Sequence, residues 1–544
     1  MGHPSVPSMK EIRLMSVNEA KTVDTNRRNN LGYFFDDALE RFPNKVCIID
    51  LFGGQERNFT YTELNARMDR VASMLARLGV QPGERVAMLV GNRVEFIEFF
   101  FGAMRIGAIP VPLNTRLAKD TLEFIFRDAA CTVALIDPAC NKDGIDLAIK
   151  VPLRERILLD REHPMFRSYE NEMAMPVVVP PSPPISEATQ AFQPYTSGST
   201  GRPKGAIMTH YGMLWYVDYN QRYWPNSSDD RGLVALPLFH KNALRGTVKP
   251  MLFAGGSFVL MPAYESLSYL QALAKYRCTY SRGVAAVFTM FLQHRDEIKK
   301  LDLSALRSMS IGSAVVTPEL LDAVERALPG VKTSESYGLT EGGSPFRAPL
   351  DKRLVPRGSV GVKGPEIEIK LTDPNGVENP DFGELWIRCP YVCLGYHNQP
   401  EITKQKLVDG WLRTGDILER DAEGFYYFRS RIDDMFSCGG ENVYPKEVEN
   451  LLFTHPDVSN VVVTPVPHPV KGFVPAAMVI VREGASIEAP DLKTFCLENG
   501  PAYAHPRHIQ IVPALPLNGA GKIDRNIARA LMTESYAKES AGKD

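Results

Sequence analysis

Apolar positions along most of this chain follow two alternating rhythms. Short runs such as Arg85-Val-Ala-Met-Leu-Val90, Ile109-Pro-Val-Pro-Leu113 and Thr132-Val-Ala-Leu-Ile136 have the length of strands buried on both faces. Between them the spacing is helical. Thr60-Tyr-Thr-Glu63 has capping-box spacing and predicts a helix ending near Gly79, 95–106 predicts a second stopped by Gly107, and 121–128 a third. Strands that alternate with helices predict right-handed crossovers and a largely parallel sheet. The same alternation returns with strands at 232–237, 257–261 and 306–311 and helices at 267–276, 287–295 and 317–328. From 358 to 387 the texture changes to short strands and turns, which predicts antiparallel sheet or a small barrel. After Arg431 a smaller α+β pattern follows, with a helix at 445–453, strands at 459–463 and 476–481, and a helical tail.

The pattern therefore predicts an α/β protein in three parts. Residues 1–30 form a poorly ordered tail. Residues 31–431 form a large N-terminal domain of parallel-rich sheets and helices with a small β-barrel-like region. Residues 432–544 form a smaller α+β C-terminal domain. At 544 residues more than one core is required. An apolar content of 44% and a charged content of 23% fit a soluble globular chain, and a net charge of -2 gives no electrostatic reason to expect nucleic acid. The 8 cysteines include no Cys-x-x-Cys pair, so neither a zinc site nor a disulfide framework is expected. Residues 1–21 lack an apolar segment flanked by basic residues, no stretch has the length of a membrane helix, and the terminal Ala-Gly-Lys-Asp is no peroxisomal address. A cytoplasmic location with reduced thiols is the expectation.

Candidate chemistry is concentrated in Tyr195-Thr-Ser-Gly-Ser-Thr-Gly-Arg-Pro-Lys-Gly205. Thr196, Ser197, Ser199 and Thr200 supply hydroxyls, Gly198 and its neighbours allow close backbone approach, and Lys204 supplies a positive charge, all parts for holding a polyphosphate. Arg202-Pro203 separates Gly201 from Lys204, so this is not a Walker A loop. Ser336-Tyr-Gly-Leu-Thr-Glu341 offers a flat ring for a purine and a carboxylate that needs a divalent cation between itself and phosphates. Asp416 in Gly410-Trp-Leu-Arg-Thr-Gly-Asp416 can accept two ribose hydroxyls. Three further segments are Arg429-Ser-Arg-Ile-Asp-Asp-Met435, Ser437-Cys-Gly-Gly-Glu-Asn-Val-Tyr-Pro-Lys-Glu447, and Pro516-Leu-Asn-Gly-Ala-Gly-Lys-Ile-Asp524. Each alone also reads as an ordinary turn, a solvated charged segment or an exposed lysine.

In their order and spacing these six segments resemble the acyl-adenylate-forming superfamily of acyl-CoA synthetases, peptide-synthetase adenylation domains and beetle luciferases, over roughly 31–525. The resemblance implies a two-step, ATP-dependent, AMP-forming carboxylate–CoA ligase using Mg²⁺ and coenzyme A. It implies that Thr196 to Thr200 and Lys204 hold phosphates, and that Ser336, Tyr337, Asp416 and Arg431 bind adenine and ribose. Thr340 would touch the α-phosphate, Glu341 would hold the metal, and Lys522 would reach the carboxylate and α-phosphate during adenylation. Asp433 would be the hinge of a mobile C-terminal domain, and Ser437, Gly439 and Gly440 would border the CoA tunnel. His240, Lys241, Gly312, Ser313, Ala314, Gly338 and Leu339 would outline the acyl pocket, with His240 as a gate.

Ala285 and Cys389 stand where relatives often carry Pro and Gly. Lys241-Asn-Ala-Leu-Arg245 stands where they often have small or apolar residues. Either Lys241 or Asn242 meets a polar group on the acid, or Lys241 points to solvent or the pantetheine. The acid is expected to be an aryl, short or medium acyl carboxylate. A stand-alone adenylation enzyme loading a carrier protein in trans, and an inactive nucleotide-binding protein, are the competing readings. A homodimer is compatible with a soluble enzyme of this kind.

Overall fold

The computed structural model describes residues 25–196, 202–312, 316, 318–373, 376–438, 441–517 and 523–541, without the side chains of 433, 442, 540 and 541. Two parallel sheets form the framework. A five-stranded sheet runs in the order Ile109–Pro112, Arg85–Leu89, Val133–Ile136, Glu155–Leu158, Arg167–Ser168, with every pairing parallel. A seven-stranded sheet runs Lys332–Ser336, Ser308–Gly312, Tyr280–Gly283, Arg231–Val234, Ser257–Leu260, Val46–Asp50, Arg57–Thr60, and only the last pair is antiparallel. Strands Arg85–Leu89, Val133–Ile136 and Ser257–Leu260 are buried along almost their whole length, as sheets covered on both faces require.

Helices Tyr61–Arg77 and Val94–Arg105 cover this framework together. Thr60 accepts from the Glu63 amide while the Glu63 carboxylate accepts from the Thr60 amide, so the predicted capping box starts the first helix. Every residue of Val94–Arg105 is buried, including Glu95, Glu98 and Arg105. These charges are paired: Glu98 takes Arg67, and Arg105 takes Asp69 at 2.5 Å. Burial without partners would cost several kcal/mol.

Where a barrel-like region is expected, the structure has a seven-stranded antiparallel sheet. Its order is Phe346–Arg347, Gly361–Lys363, Phe425–Arg431, Trp411–Arg420, Phe382–Arg388, Glu368–Thr372, with Leu407–Val408 added beside Trp411–Arg420. The C-terminal part has its own mixed sheet and its own core. Val458–His468 and Gly472–Val481 pair antiparallel, His508–Ile511 joins in parallel, and helices Pro445–Phe453 and Arg525–Ala541 pack on them.

A poorly ordered tail is expected over 1–30, and its last six residues, 25–30, are ordered instead. Thr25–Asn29 is helical, and Asn30 is buried with its amide donating to the Met104 carbonyl at 2.7 Å and to Ser182 Oγ at 3.0 Å. Residues 1–24 lie outside the described residues.

Candidate active site

The phosphate-loop segment leaves the framework as a small ladder. Tyr195–Thr196 pairs antiparallel with Lys204–Gly205, so Thr196 and Lys204 sit opposite each other at the base of the loop. Lys204 is 9% exposed, which places its charge among protein groups rather than in bulk solvent. Ser197, Gly198, Ser199 and Thr200 lie outside the described residues. Gly205 is required by packing, because a Cβ there would come within 2.7 Å of Gln193.

The second segment arrives from the parallel sheet. Strand Lys332–Ser336 ends at Ser336, whose hydroxyl reaches the Ile311 carbonyl at 3.4 Å. A Cβ on Gly312 would stand 2.2 Å from that hydroxyl, so glycine lets the two strand ends close up. Ser313 and Ala314 lie outside the described residues. Leu339 and Gly343 exchange both backbone bonds, at 2.9 and 3.1 Å, and this tight hairpin holds Thr340 and Glu341 between them. The Glu341 carboxylate accepts from the Thr196 hydroxyl at 3.1 Å and from the Tyr396 hydroxyl at 3.3 Å. The two segments read separately in the sequence thus meet at one carboxylate.

Tyr337 and Asp416 also meet. The Tyr337 hydroxyl donates to Asp416 Oδ2 at 2.5 Å, and Arg431 Nε stands 3.6 Å from Oδ1 of the same carboxylate. Burial pushes the Asp416 carboxyl above its ordinary range, with Arg431 and Tyr337 acting against it, and burial also drives the Tyr337 phenol well upward. The Thr-Gly-Asp segment is no free turn. It lies inside strand Trp411–Arg420, where Gly415 at φ 75° accompanies a register shift against Phe382–Arg388. Asp416 is set directly opposite Arg431 in the neighbouring strand.

Past Arg431 the chain turns through a short 3₁₀ segment, Ile432–Asp434, that carries Asp433 into the C-terminal part; the Asp433 side chain is outside the described residues. Arg525 spans this connection, 3.6 Å from Asp434 and 2.8 Å from buried Glu449. Ser437 lies in strand Phe436–Cys438, which pairs with Glu441–Val443; Gly439 and Gly440, between them, lie outside the described residues. So does Lys522, although the base of its loop is closed by the Leu517–Ile523 bridge and by a 2.8 Å bond from the Asp524 amide to the Pro516 carbonyl. Lys446, at the start of helix Pro445–Phe453, faces Glu335 on the strand leading to Tyr337. Burial raises the Glu335 carboxyl to about 7 and lowers the Lys446 amine to about 8, while each charge favours the other.

The acyl-side segment begins at His240, whose Nδ1 accepts from the Asn242 amide at 3.4 Å and so caps a short helical turn. Lys241 lines a narrow cavity walled by Phe100, Phe192, Phe239 and Tyr391. Asn242 is buried, and its Oδ1 accepts from Arg282 at 3.1 Å, so it orients an arginine instead of facing solvent. Sequence reasoning passed over three cations that belong to this region: Arg245, Lys249 and Arg282. A periodic signal existed, since Lys241, Arg245 and Lys249 recur every four residues on one helical face.

The donors around Glu341 suit a hard cation. A carboxylate and two hydroxyls are oxygen ligands of the kind Mg²⁺ takes. Among the described residues no group of three or more His, Cys, Asp or Glu side chains could hold a metal alone. An ion carried in on a polyphosphate and touching one carboxylate fits that composition. No helix of the described residues is long and apolar enough to cross a membrane.

Residues 35–397 match the AMP-binding enzyme family, and residues 447–522 match the AMP-binding enzyme C-terminal domain. The feruloyl-CoA synthase of Amycolatopsis sp is 34% identical, over 85% of this chain and 92% of its own. The indoleacetate–CoA ligase of Aromatoleum aromaticum is 32% identical, over 89% of this chain and 95% of its own. The crystal structure of ATP-bound MatB from Rhodopseudomonas palustris superposes with a TM-score of 0.84 at 30% identity, covering 93% of this chain and 100% of that one. With Thr196, the Leu339–Gly343 hairpin, Tyr337 and Asp416 gathered in this fold, and both family models matched, the chain belongs to the AMP-binding enzyme family.

Proposed function

We propose that this protein is an AMP-forming carboxylate–CoA ligase acting on a small carboxylic acid. The observation that carries the reading is Glu341, placed by its hairpin against Thr196 at the base of the phosphate loop. In the first half-reaction a carboxylate oxygen bonds to the α-phosphorus of ATP and the bond to the β-phosphate oxygen breaks, releasing pyrophosphate. In the second, the CoA thiolate attacks the acyl carbon and AMP leaves with its electron pair. A free carboxylate would have to expel oxide, so adenylation supplies the leaving group.

Both reactants of the first step are anions, so the site has to neutralise them. Lys204 and the hydroxyls of residues 196–200 serve the β- and γ-phosphates. Mg²⁺, when bound near Glu341, withdraws charge from the phosphate oxygens. Tyr337 offers its ring to adenine, while Asp416, steadied by Arg431, receives the ribose hydroxyls. Lys522, brought in by the C-terminal domain, stabilises charge developing between carboxylate and α-phosphate. Rotation about Asp433 then exchanges it for the loop at Gly439 and Gly440, and His240 opens toward the pantetheine.

The experiment is acid-dependent exchange of labelled pyrophosphate into ATP, run across a panel of small carboxylic acids, followed by CoA or a phosphopantetheinylated carrier protein. Exchange that needs an acid, with thioester formed on CoA, supports the proposal. Exchange with transfer only to the carrier supports the carrier-loading reading, and absence of exchange with every acid removes both.

A further inference from the structure

Behind the cavity lined by Lys241 lies a cluster of four cations, of which Arg245 and Lys249 are buried and Arg282 and Arg347 half-buried. Arg245 is 7% exposed and Lys249 3% exposed, and both line the cavity itself. They stand at either end of a π-helical turn, Leu244–Val248, closed by the Lys249 amide donating to the Leu244 carbonyl. Such single turns recur at functional sites because they re-aim side chains within a helix. Arg282 packs on Gly246 of the same turn, where a Cβ would fall 2.7 Å from its side chain. Arg347 approaches from the antiparallel sheet and donates to Tyr216 and to Asn220 Oδ1.

The partners of these cations are neutral. Arg282 donates to Tyr280 Oη at 2.8 Å and to Asn242, and the Lys249 ammonium has the Met213 thioether at 3.5 Å. Arg245 Nη1 is buried with no hydrogen-bond acceptor among the described residues. Tyr216 lies amid Arg347, Arg245 and Arg282, and their charges outweigh burial and hold its phenol below the ordinary range. Burial together with Arg245 lowers the Lys249 amine to about 7. Two other buried arginines do have carboxylate partners: Arg93 has Glu95 at 2.6 Å, and Arg105 has Asp69. Here no carboxylate of the described residues pairs with Arg245, Lys249, Arg282 or Arg347. Uncompensated buried charge is costly, so an anion that enters this space is strongly favoured.

The cavity also has a defined relation to the reaction centre. A Cβ on Gly338 would meet Arg245 Nη2 at 2.8 Å, so the guanidinium packs against the segment that leads to Thr340 and Glu341. An acid reacting beside Glu341 therefore extends toward Arg245. Resting on the ligase reading above, we infer that the acid substrate carries a second negative charge, and that Arg245, with Lys249 and Arg282 behind it, receives that distal anionic group. The aromatic wall of Phe100, Phe192 and Phe239 would hold a short linker, aliphatic or aryl, between the two groups.

The test compares straight-chain dicarboxylates from succinate to pimelate, and the benzenedicarboxylates, each with its half methyl ester, in acid-dependent pyrophosphate exchange on the full-length enzyme. The half ester keeps the reacting carboxylate and loses the distal charge. At least one dicarboxylate is expected to exceed its half ester roughly a hundredfold in kcat/KM, the scale of a buried charge-assisted pairing. The variants Arg245→Leu and Lys249→Met should lose that preference while binding ATP with unchanged Kd. Half esters and simple monoacids that match or exceed every dicarboxylate in the wild type would overturn the inference and leave the ligase reading intact. Absence of exchange with all acids would instead remove the ligase reading itself. A dicarboxylate preference that survives in both variants would place the receiving group elsewhere and overturn the assignment.

Discussion

Thr196 donates its hydroxyl to Glu341 at 3.1 Å, although the two are 145 positions apart in the chain. One residue opens the hydroxyl-rich loop and the other sits in the tight hairpin closed by Leu339 and Gly343. If Glu341 serves a phosphate-borne cation, Glu341→Gln keeps the shape and removes the charge. Pyrophosphate exchange should fall on the order of a hundredfold or more, with the Mg²⁺ requirement moved to higher concentration. Thr196→Val leaves the carboxylate charge in place and should cost less, roughly ten- to a hundredfold, the scale of one hydrogen bond to a charged group. A Mg²⁺ titration of exchange for both variants checks this, and an unchanged Mg²⁺ dependence in Glu341→Gln would count against the assignment.

Tyr337 separates ring from hydroxyl. Its Oη is committed to Asp416, so Tyr337→Phe should cost about tenfold or less in kcat/KM for ATP, while Tyr337→Ala loses the stacking face as well and should cost about a hundredfold. Steady-state kinetics at varied ATP distinguish the two. Equal losses would mean that the hydroxyl, not the ring, is what matters.

His210 predicts an acid limb of stability. It is fully buried, its Nδ1 accepts from the Leu31 amide at 2.9 Å, and burial lowers its pKa to about 3. In the unfolded chain an imidazole titrates near ~6.5. The folded value is depressed, so the contribution is fully present above about pH 6.5 and is lost as pH falls toward 3. His210→Asn, whose Oδ1 stands where Nδ1 does and can still accept from the Leu31 amide, should flatten the decline of the urea midpoint between neutral pH and pH 5. A decline as steep as that of the wild type would assign the acid limb to other groups.

The elements the sequence revealed are those whose signals are local. Helix Tyr61–Arg77 was legible from Thr60 and Glu63, and helix Pro445–Phe453 from Pro445 at its first position. Strand Arg85–Leu89 was legible as an unbroken apolar run. Strand Trp411–Arg420 was not, because Arg413, Gly415 and Asp416 interrupt its alternation, and the compensation comes from a register shift in its neighbour. Tyr337, Glu341 and Asp416 were legible as candidates because each sits in its own motif, although the contacts Thr196–Glu341 and Tyr337–Asp416 were not. Arg245 and Lys249 were not legible, because a cation at helical spacing reads as solvated until the packing shows that face to be interior. Asn30 reads as part of a poorly ordered tail because its partners, Met104 and Ser182, are remote in sequence.

The alternation between half-reactions is tested by two substitutions with opposite signatures. Lys522→Ala should abolish pyrophosphate release and spare thioester formation from supplied acyl-AMP. Asp433→Pro should keep adenylation and impair thioester formation, because a rigid φ at the connection restricts rotation. Separate assays of the two half-reactions read this directly. Equal loss of both steps in Lys522→Ala, or normal turnover of both in Asp433→Pro, would refute domain exchange.

Rapid quench of a single turnover with α-labelled ATP, a competent acid and excess enzyme tests the central claim most directly. Labelled acyl-AMP should accumulate to near the amount of limiting ATP and collapse to AMP when CoA is added, with acyl-CoA formed in equal amount. Label appearing in ADP, or AMP released without any acid-bearing intermediate, would contradict the account.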